Sequence, residues 1–293
     1  MANKLLIAIL LTSIIPASVS ASSVVYERVK KGQTYAHVVT VNLADPQTRV
    51  TVALARGGLG KGESFKSMVK RTRPAAAITG TFFDTRTLIP TGDIGVFGKI
   101  VHTGCIGSAL CIDSNNKATI VRMAAGRKNN WEGYETVLCC GPALVSNGSM
   151  AVRVQHEGFG GSLYAPATRT AVGITRAGKL LLVAVNRKTS LHKVAKLMLA
   201  LGAREALTLD GGSSTGFYAN NGYKANPVRK LTNLLVVYSK SSAYANAKVA
   251  LVPASLLPKT AAELEESALT ALTAAITVPV SDTAILQPAV SSR

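Results

Sequence analysis

Short apolar runs closed by glycine or a polar turn follow one another along this chain, and only one segment carries a strong helical period. Val24–Val29, His37–Leu43 and Thr48–Ala55 alternate as half-buried strands do, and Ala75–Gly80 reads as a strand of small residues. Thr170–Ile174 and Lys179–Val185 form a hairpin pattern turning at Ala177-Gly178, while Glu205–Leu209 and Thr232–Tyr238 read as buried strands. Ser64–Arg71 suits a short helix that ends before Pro74. The strong helix follows Ser190, a fair N-cap, sets Leu191, Val194, Ala195, Leu197, Met198 and Leu201 at helical spacing, and stops at Gly202. Many strands with few helices predict an α+β fold, a single domain on a mixed, largely antiparallel β-sheet.

Both ends differ from this body. Lys4 precedes an apolar stretch from Leu5 to Ile15, followed by small residues through Ala21, which is the layout of a secretory signal peptide. Cleavage is expected after Ala21, giving an exported protein, periplasmic or extracellular. No later segment is long and apolar enough for a membrane helix, so the mature chain is expected to be soluble. From Ser241 to Arg293 the sequence turns to Ala, Ser, Thr, Leu, Val and Pro, with no aromatic residue beyond Tyr244. It reads as a mostly disordered tail with one short helix near Thr260, Glu263 and Leu264. The catalytic domain is then expected over residues 22–240.

The charge is +18, and from Lys259 onward the segment is −2, so the remainder carries +20. Such a surface draws in anions. Nucleic acid is not expected, because there is no recognition helix, zinc-finger spacing or interleaved aromatic platform. An anionic envelope glycan or sugar phosphate suits an exported protein better. Four cysteines, Cys105, Cys111, Cys139 and Cys140, are expected to form disulfides, with Cys105 and Cys111 pairing either with the adjacent Cys139 and Cys140 or with each other. Their spacing does not suit zinc, and no metal or organic cofactor is implied.

Acids are scarce in the body, which makes those that remain easier to rank. Leu207-Thr208-Leu209-Asp210-Gly211-Gly212-Ser213-Ser214-Thr215 ends an apolar strand in a carboxylate, then offers glycines and hydroxyls. That sequence puts a base or nucleophile beside an anion cradle made by Gly211, Gly212, Ser213 and Ser214. Arg169, opening a strand at Thr168-Arg169-Thr170-Ala171, has a planar fork able to grip phosphate oxygens. Asp84, after Gly80-Thr81-Phe82-Phe83, is a second strand-end carboxylate, and Asp93 lies between Gly92 and Ile94. Serine-hydrolase elbows, Walker loops and paired zincin histidines are missing from the sequence.

Taken in order, Thr79-Gly80-Thr81-Phe82-Phe83-Asp84, Gly92-Asp93-Ile94-Gly95, Gly141-Pro142-Ala143-Leu144-Val145, Arg169-Thr170-Ala171-Val172-Gly173 and Asp210-Gly211-Gly212 resemble the phosphodiester glycosidases. The helix ending Leu201-Gly202-Ala203 and the stretch from Arg229 through Asn233 match as well. That family includes the lysosomal enzyme that removes N-acetylglucosamine from a phosphodiester on mannose, and many bacterial exported proteins. The family usually has Asn where Thr79 stands, often Gly where Ser213 stands, and frequently Asn where Thr208 stands. The resemblance implies cleavage of a sugar C1–O bond with phosphate leaving. It implies Asp210 as base or nucleophile, Asp84 as partner carboxylate and Arg169 as phosphate anchor, with Thr81, Asp93, Thr170, Gly211, Gly212, Ser213 and Ser214 lining the substrate. The rival reading is a non-catalytic module that binds anionic envelope polysaccharide; it needs Arg169 but not the carboxylates.

Overall fold

The computed structural model describes residues 22–104 and 106–257. The expected signal peptide (1–21), Cys105 and the helix expected near Thr260 lie outside them. Three antiparallel sheets carry the body. In the largest, the strand order is β1 (Val24–Lys31), β2 (Thr34–Val41), β13 (Leu180–Thr189), β12 (Ala167–Thr175), β14 (Ala203–Leu209), β10 (Ala143–Ser146) and β11 (Ser149–Met150). The hairpin of β12 and β13 turns through Ala177-Gly178, where the Gly178 N–H donates to the Thr175 carbonyl at 3.0 Å.

The strong helix, α2 (Leu191–Ala200), covers one face of this sheet. Ser190 Oγ accepts the Lys193 N–H at 3.3 Å to start it, and Gly202, at φ +84°, receives the chain after it ends. Leu191, Val194, Ala195, Leu197 and Met198 are buried against Val38, Ala171, Val183 and Ala206. These alternate positions belong to one face of β2, β12, β13 and β14, so the period of 3.6 in the helix meets the period of two in the strands. The opposite face meets the second sheet, where the His37 and Phe217 rings stand 6.3 Å apart.

That second sheet runs β16 (Gly222–Ala225), β15 (Phe217–Ala219), β4 (Ala76–Thr79), β17 (Asn233–Tyr238) and β3 (Arg49–Leu54). Helix α1 (Phe65–Thr72) is capped by Ser64, whose Oγ accepts from the Ser67 N–H at 3.1 Å, and it ends at Arg73 before Pro74. The third sheet runs β6 (Lys99–His102), β5 (Ile94–Val96), β9 (Tyr134–Cys139), β7 (Ala109–Asp113) and β8 (Ala118–Val121). The α+β architecture with few helices is as expected, with its strands shared among three sheets.

Two expectations are corrected. The body does not stop at Lys240: α3 (Ser241–Leu251) follows β17 directly and packs against β3, β17 and α1. Ala247, Leu251 and Val252 are buried, and the Tyr244 ring lies 5.7 Å from that of Tyr238. Ala-rich composition hid this helix, since small residues bury little area each and leave a weak apolar stripe. Cys111, Cys139 and Cys140 are buried free thiols, with no disulfide among the described residues. Cys111 and Cys139 belong to the apolar cluster around Trp131, and Cys140 is fully enclosed, so packing rather than cross-linking accounts for them.

Candidate functional site

Four chain segments end at one place. β14 delivers Asp210, β4 delivers Gly80 and Thr81, β9 delivers Cys139, Cys140 and Gly141, and β12 begins with Thr168, Arg169 and Thr170. Backbone bonds tie them together: Asp210 N–H to Gly80 O at 3.0 Å, and Gly141 N–H to Thr208 O at 3.0 Å. The approach is close at Gly80, where a Cβ would sit 1.9 Å from Asn233 Oδ1. Glycine therefore lets the buried Asn233 reach the Thr81 N–H, which it accepts at 2.8 Å.

Asp210 is 8% exposed, and burial pushes its carboxyl up from 3.8 to about 7. The Ser214 hydroxyl, the Gly211 N–H and the charge of Arg229 act in the opposite direction without overcoming burial. A carboxyl near neutrality can take and return a proton at physiological pH. Its neighbour Cys140 is a poor nucleophile, because burial and the Asp210 charge push that thiol up to about 12.

The Asp-Gly-Gly turn is held from several sides. Gly212 adopts φ +58°, a region that glycine enters without strain. Residues 212–214 then form one 3-10 turn. Thr168 Oγ1 donates to Gly212 O at 2.9 Å, Thr170 Oγ1 donates to Asp210 O, and the Val228 N–H donates to Ser213 O at 2.9 Å. Thr79 Oγ1 donates to Ser214 O at 2.6 Å and accepts the Gly216 N–H at 2.8 Å. Threonine at 79 thus braces the turn, and Thr208 Oγ1 ties β14 to Thr170 O at 2.9 Å. These two departures from the family pattern have structural work in this chain.

Arg169 is next to this turn, since a Cβ on Gly211 would lie 3.4 Å from the Arg169 Cα. Its guanidinium is buried and donates to backbone carbonyls, through Nη2 to Leu163 at 2.8 Å and to Ala165, and through Nε to Thr189 at 3.3 Å. Among the described residues no carboxylate forms a salt bridge with it; the ion pair there is Arg71–Glu63, at 2.7 Å. Burial lowers its affinity for its proton, yet an arginine stays charged at neutral pH, so a positive charge with no salt-bridge partner among the described residues is seated on these carbonyls, on a residue whose backbone flanks Gly211.

Asp210, Arg169, Thr81, Thr170, Gly211, Gly212, Ser213 and Ser214 thus belong to one cluster. Asp84 and Asp93 are engaged differently. Asp84 is half-buried, and its Oδ1 accepts the Arg86 and Thr87 N–H groups at 3.0 and 2.8 Å and the Thr87 hydroxyl at 3.1 Å. Those donors hold its carboxyl below the usual range. Asp93 uses both oxygens inside the protein, accepting Gly104 N–H and Trp131 Nε1–H, each at 2.6 Å. It pins the third sheet's loops. Of the two aromatics before Asp84, Phe83 is buried and Phe82 tilts over Phe159 at 5.3 Å.

Sequence reasoning did not rank three residues that matter here. Arg229 is the cation whose charge reaches Asp210. Asn233 threads its amide between Gly80 and Thr81. Glu157, 1% exposed, accepts Ser108 Oγ at 2.6 Å, Ser108 N–H at 3.1 Å and Ala143 N–H at 2.9 Å, and so anchors the segment that follows Cys140. Asn233 and Arg229 lie in the motif stretch before the last strand; Glu157, in an isolated 3-10 turn, had no sequence signal.

Comparison with known proteins gives a consistent result. Among solved structures, a hypothetical protein from Synechocystis superposes with a TM-score of 0.63 at 18% identity, covering 72% of this chain and 61% of that one. The zebrafish N-acetylglucosamine-1-phosphodiester alpha-N-acetylglucosaminidase catalytic domain, auto-inhibited by its pro-peptide, gives 0.62 at 19% identity, covering 76% of this chain and 85% of that domain. A candidate exported protein from Burkholderia pseudomallei gives 0.52 at 16%, covering 70% and 74%. At these identities the likeness is one of fold, and no curated protein matches the chain. The family model for phosphodiester glycosidases matches residues 72–238, which run from the end of α1 through β17 and contain the whole Asp210 cluster. This chain belongs to the phosphodiester glycosidase family.

Proposed function

We propose that this protein is an exported hydrolase that cleaves the C1–O bond of a sugar-1-phosphodiester or a related anionic envelope glycan. The observation that carries the reading is Asp210, a buried strand-end carboxyl raised to about 7 beside a hydroxyl-rich turn and within reach of the Arg229 charge. Glycoside hydrolysis proceeds through an oxocarbenium-like transition state and needs a group to activate water or attack C1. In the simplest course, water adds to C1 as its proton passes to Asp210. The C1–O electron pair leaves with the phosphate monoester, which needs little acid assistance. Arg169 supplies uncompensated positive charge for the phosphate, and the backbone around Gly211, Gly212 and Ser213 offers close approach. Asp84, kept ionised by the donors of its own turn, carries no step in this course.

Export is part of this proposal, supported by the leader-like residues 1–21 and the likeness to a candidate exported protein. No helix among the described residues is long and apolar enough to cross a membrane. The test is hydrolysis of a sugar-1-phosphodiester in heavy-oxygen water, with both products analysed by mass spectrometry. Label in the released sugar supports attack at C1. Label in the phosphate, or no turnover with any sugar phosphodiester, refutes it.

A further inference from the structure

A cavity of about 560 Å³ opens where α2 leaves the end of the seven-stranded sheet uncovered. It is lined by Lys31 from the β1–β2 hairpin, Arg187 and Lys188 from β13, and Lys193 and Lys196 from α2, and no carboxylate lines it. Lys193 and Lys196 are one helical turn apart and share a face. None of the five cations has an ion-pair partner among the described residues. Val185, Leu197 and Ala200 supply an apolar floor. Like charges gathered at one concave place repel one another, and a polyanion removes that cost.

The groove also has a position relative to the Asp210 cluster. Thr189 lines it, and the carbonyl of the same residue accepts from Arg169 Nε at 3.3 Å. The groove therefore reaches the residue on which the Arg169 guanidinium rests, and the Arg169 backbone flanks Gly211. Its volume is in the range of sites that hold small ligands, enough for a phosphorylated sugar unit. A stacking platform for bases is not built here: Tyr35, the aromatic side chain in the lining, already meets Arg28 at 5.8 Å and Lys30 at 5.3 Å from its ring centre.

We propose that this groove is a non-catalytic subsite that holds an adjoining phosphate-bearing unit of a phosphodiester-linked glycan chain, so that the substrate is a polymer. The inference rests on the glycosidase reading and extends it to substrate class. Binding is tested by calorimetry on the full chain carrying Asp210→Asn, which prevents turnover, using a synthetic poly(glycosyl phosphate) and its monomeric sugar phosphate. The polymer binds at least about tenfold more tightly than the monomer, and replacing Arg187, Lys193 and Lys196 together by Gln weakens the polymer about tenfold. The same three replacements, made without Asp210→Asn, leave turnover of a small phosphodiester unchanged. A control with the same charge change elsewhere, Lys66, Lys70 and Arg73 to Gln, shifts polymer binding by less than about twofold. Equal weakening in both triple variants, or equal affinity for single-stranded DNA of matched charge, overturns the proposal. Intact groove binding in a protein that hydrolyses no phosphodiester supports the groove and sinks the glycosidase reading alone.

Discussion

Asp210→Asn should move stability and activity in opposite directions. Burial takes the carboxyl from 3.8 to about 7. Between those values the folded protein holds a proton that the unfolded chain has released. Stability contributed by this group therefore falls as pH rises through the window, and the loss is complete above the folded value. A displacement of that size corresponds to a ceiling of about 4 kcal/mol. Asparagine keeps the shape and never ionises, so it escapes this cost. The variant should match the parent near about pH 3 and gain steadily above it, reaching up to roughly 10 °C in melting temperature at about pH 8. Over the same range its turnover of a sugar-1-phosphodiester should fall by about 10²–10⁴-fold. Thermal melts of both proteins across pH, paired with steady-state kinetics, provide the assay. A stability difference that does not change with pH would refute the burial argument. Full turnover in the folded variant would refute the catalytic one.

Four further outcomes follow from the packing around that residue. Arg169→Lys removes the fork that spans Leu163, Ala165 and Thr189 but keeps the charge, so stability should drop by about 1–3 kcal/mol, measured by urea titration, while KM for a phosphodiester changes little. Gly80→Ala drives a methyl into Asn233 and should cost more than about 3 kcal/mol; a variant with parental stability would mean the close approach is absent. Glu157→Gln sets an amide NH₂ against the donors it now accepts from, and should cost about 1–3 kcal/mol while leaving Asp210 titration in place, read by the pH profile of kcat. Cutting the chain after Lys240 removes α3 from β3 and α1 and should lower the melting temperature by several degrees, whereas an unchanged melt would show that the body does end at Lys240.

What could be read from the sequence was set by how local the determining physics is. Helix α2 was legible because its cap, its apolar stripe and its terminating glycine all lie within the segment itself. The β12–β13 hairpin was legible for the same reason, since the turn and the alternation are contiguous. Strands also announced themselves singly, but their partition into three sheets did not. β4 pairs with β15 and β17, which come far later in the chain, and only the assembled register shows that Thr79 and Ser214 meet.

The same distinction runs through the site. Asp210 stood out because a carboxylate at the end of an apolar strand, followed by two glycines, is a local pattern with a chemical meaning. Its proton affinity is not local: it arises from the enclosure made by β4, β9 and β12 around the strand end. Asp84 and Asp93 show the converse. Each follows a glycine-bearing motif that made it a weaker candidate beside Asp210, and their oxygens are met by donors, Thr87 in its own turn for one and Trp131 for the other. The donors of its own turn hold the Asp84 carboxyl below its ordinary range, whereas burial of Asp210 outweighs the Ser214 and Gly211 donors and leaves it near neutrality, free to exchange a proton. The residue type and the turn are therefore shared by braces and by the proposed catalyst, and the surroundings distinguish them. The two arginines divide along the same line. Arg229 opened a matching motif stretch without being ranked as a site residue, yet its charge reaches Asp210; Arg169 was chosen for its fork, and the structure shows that fork already seated on carbonyls. On the proposed reading Arg169 acts through the charge it keeps and less through a free bidentate grip, which is why lysine, with the charge but without the fork, is the substitution that separates the two contributions.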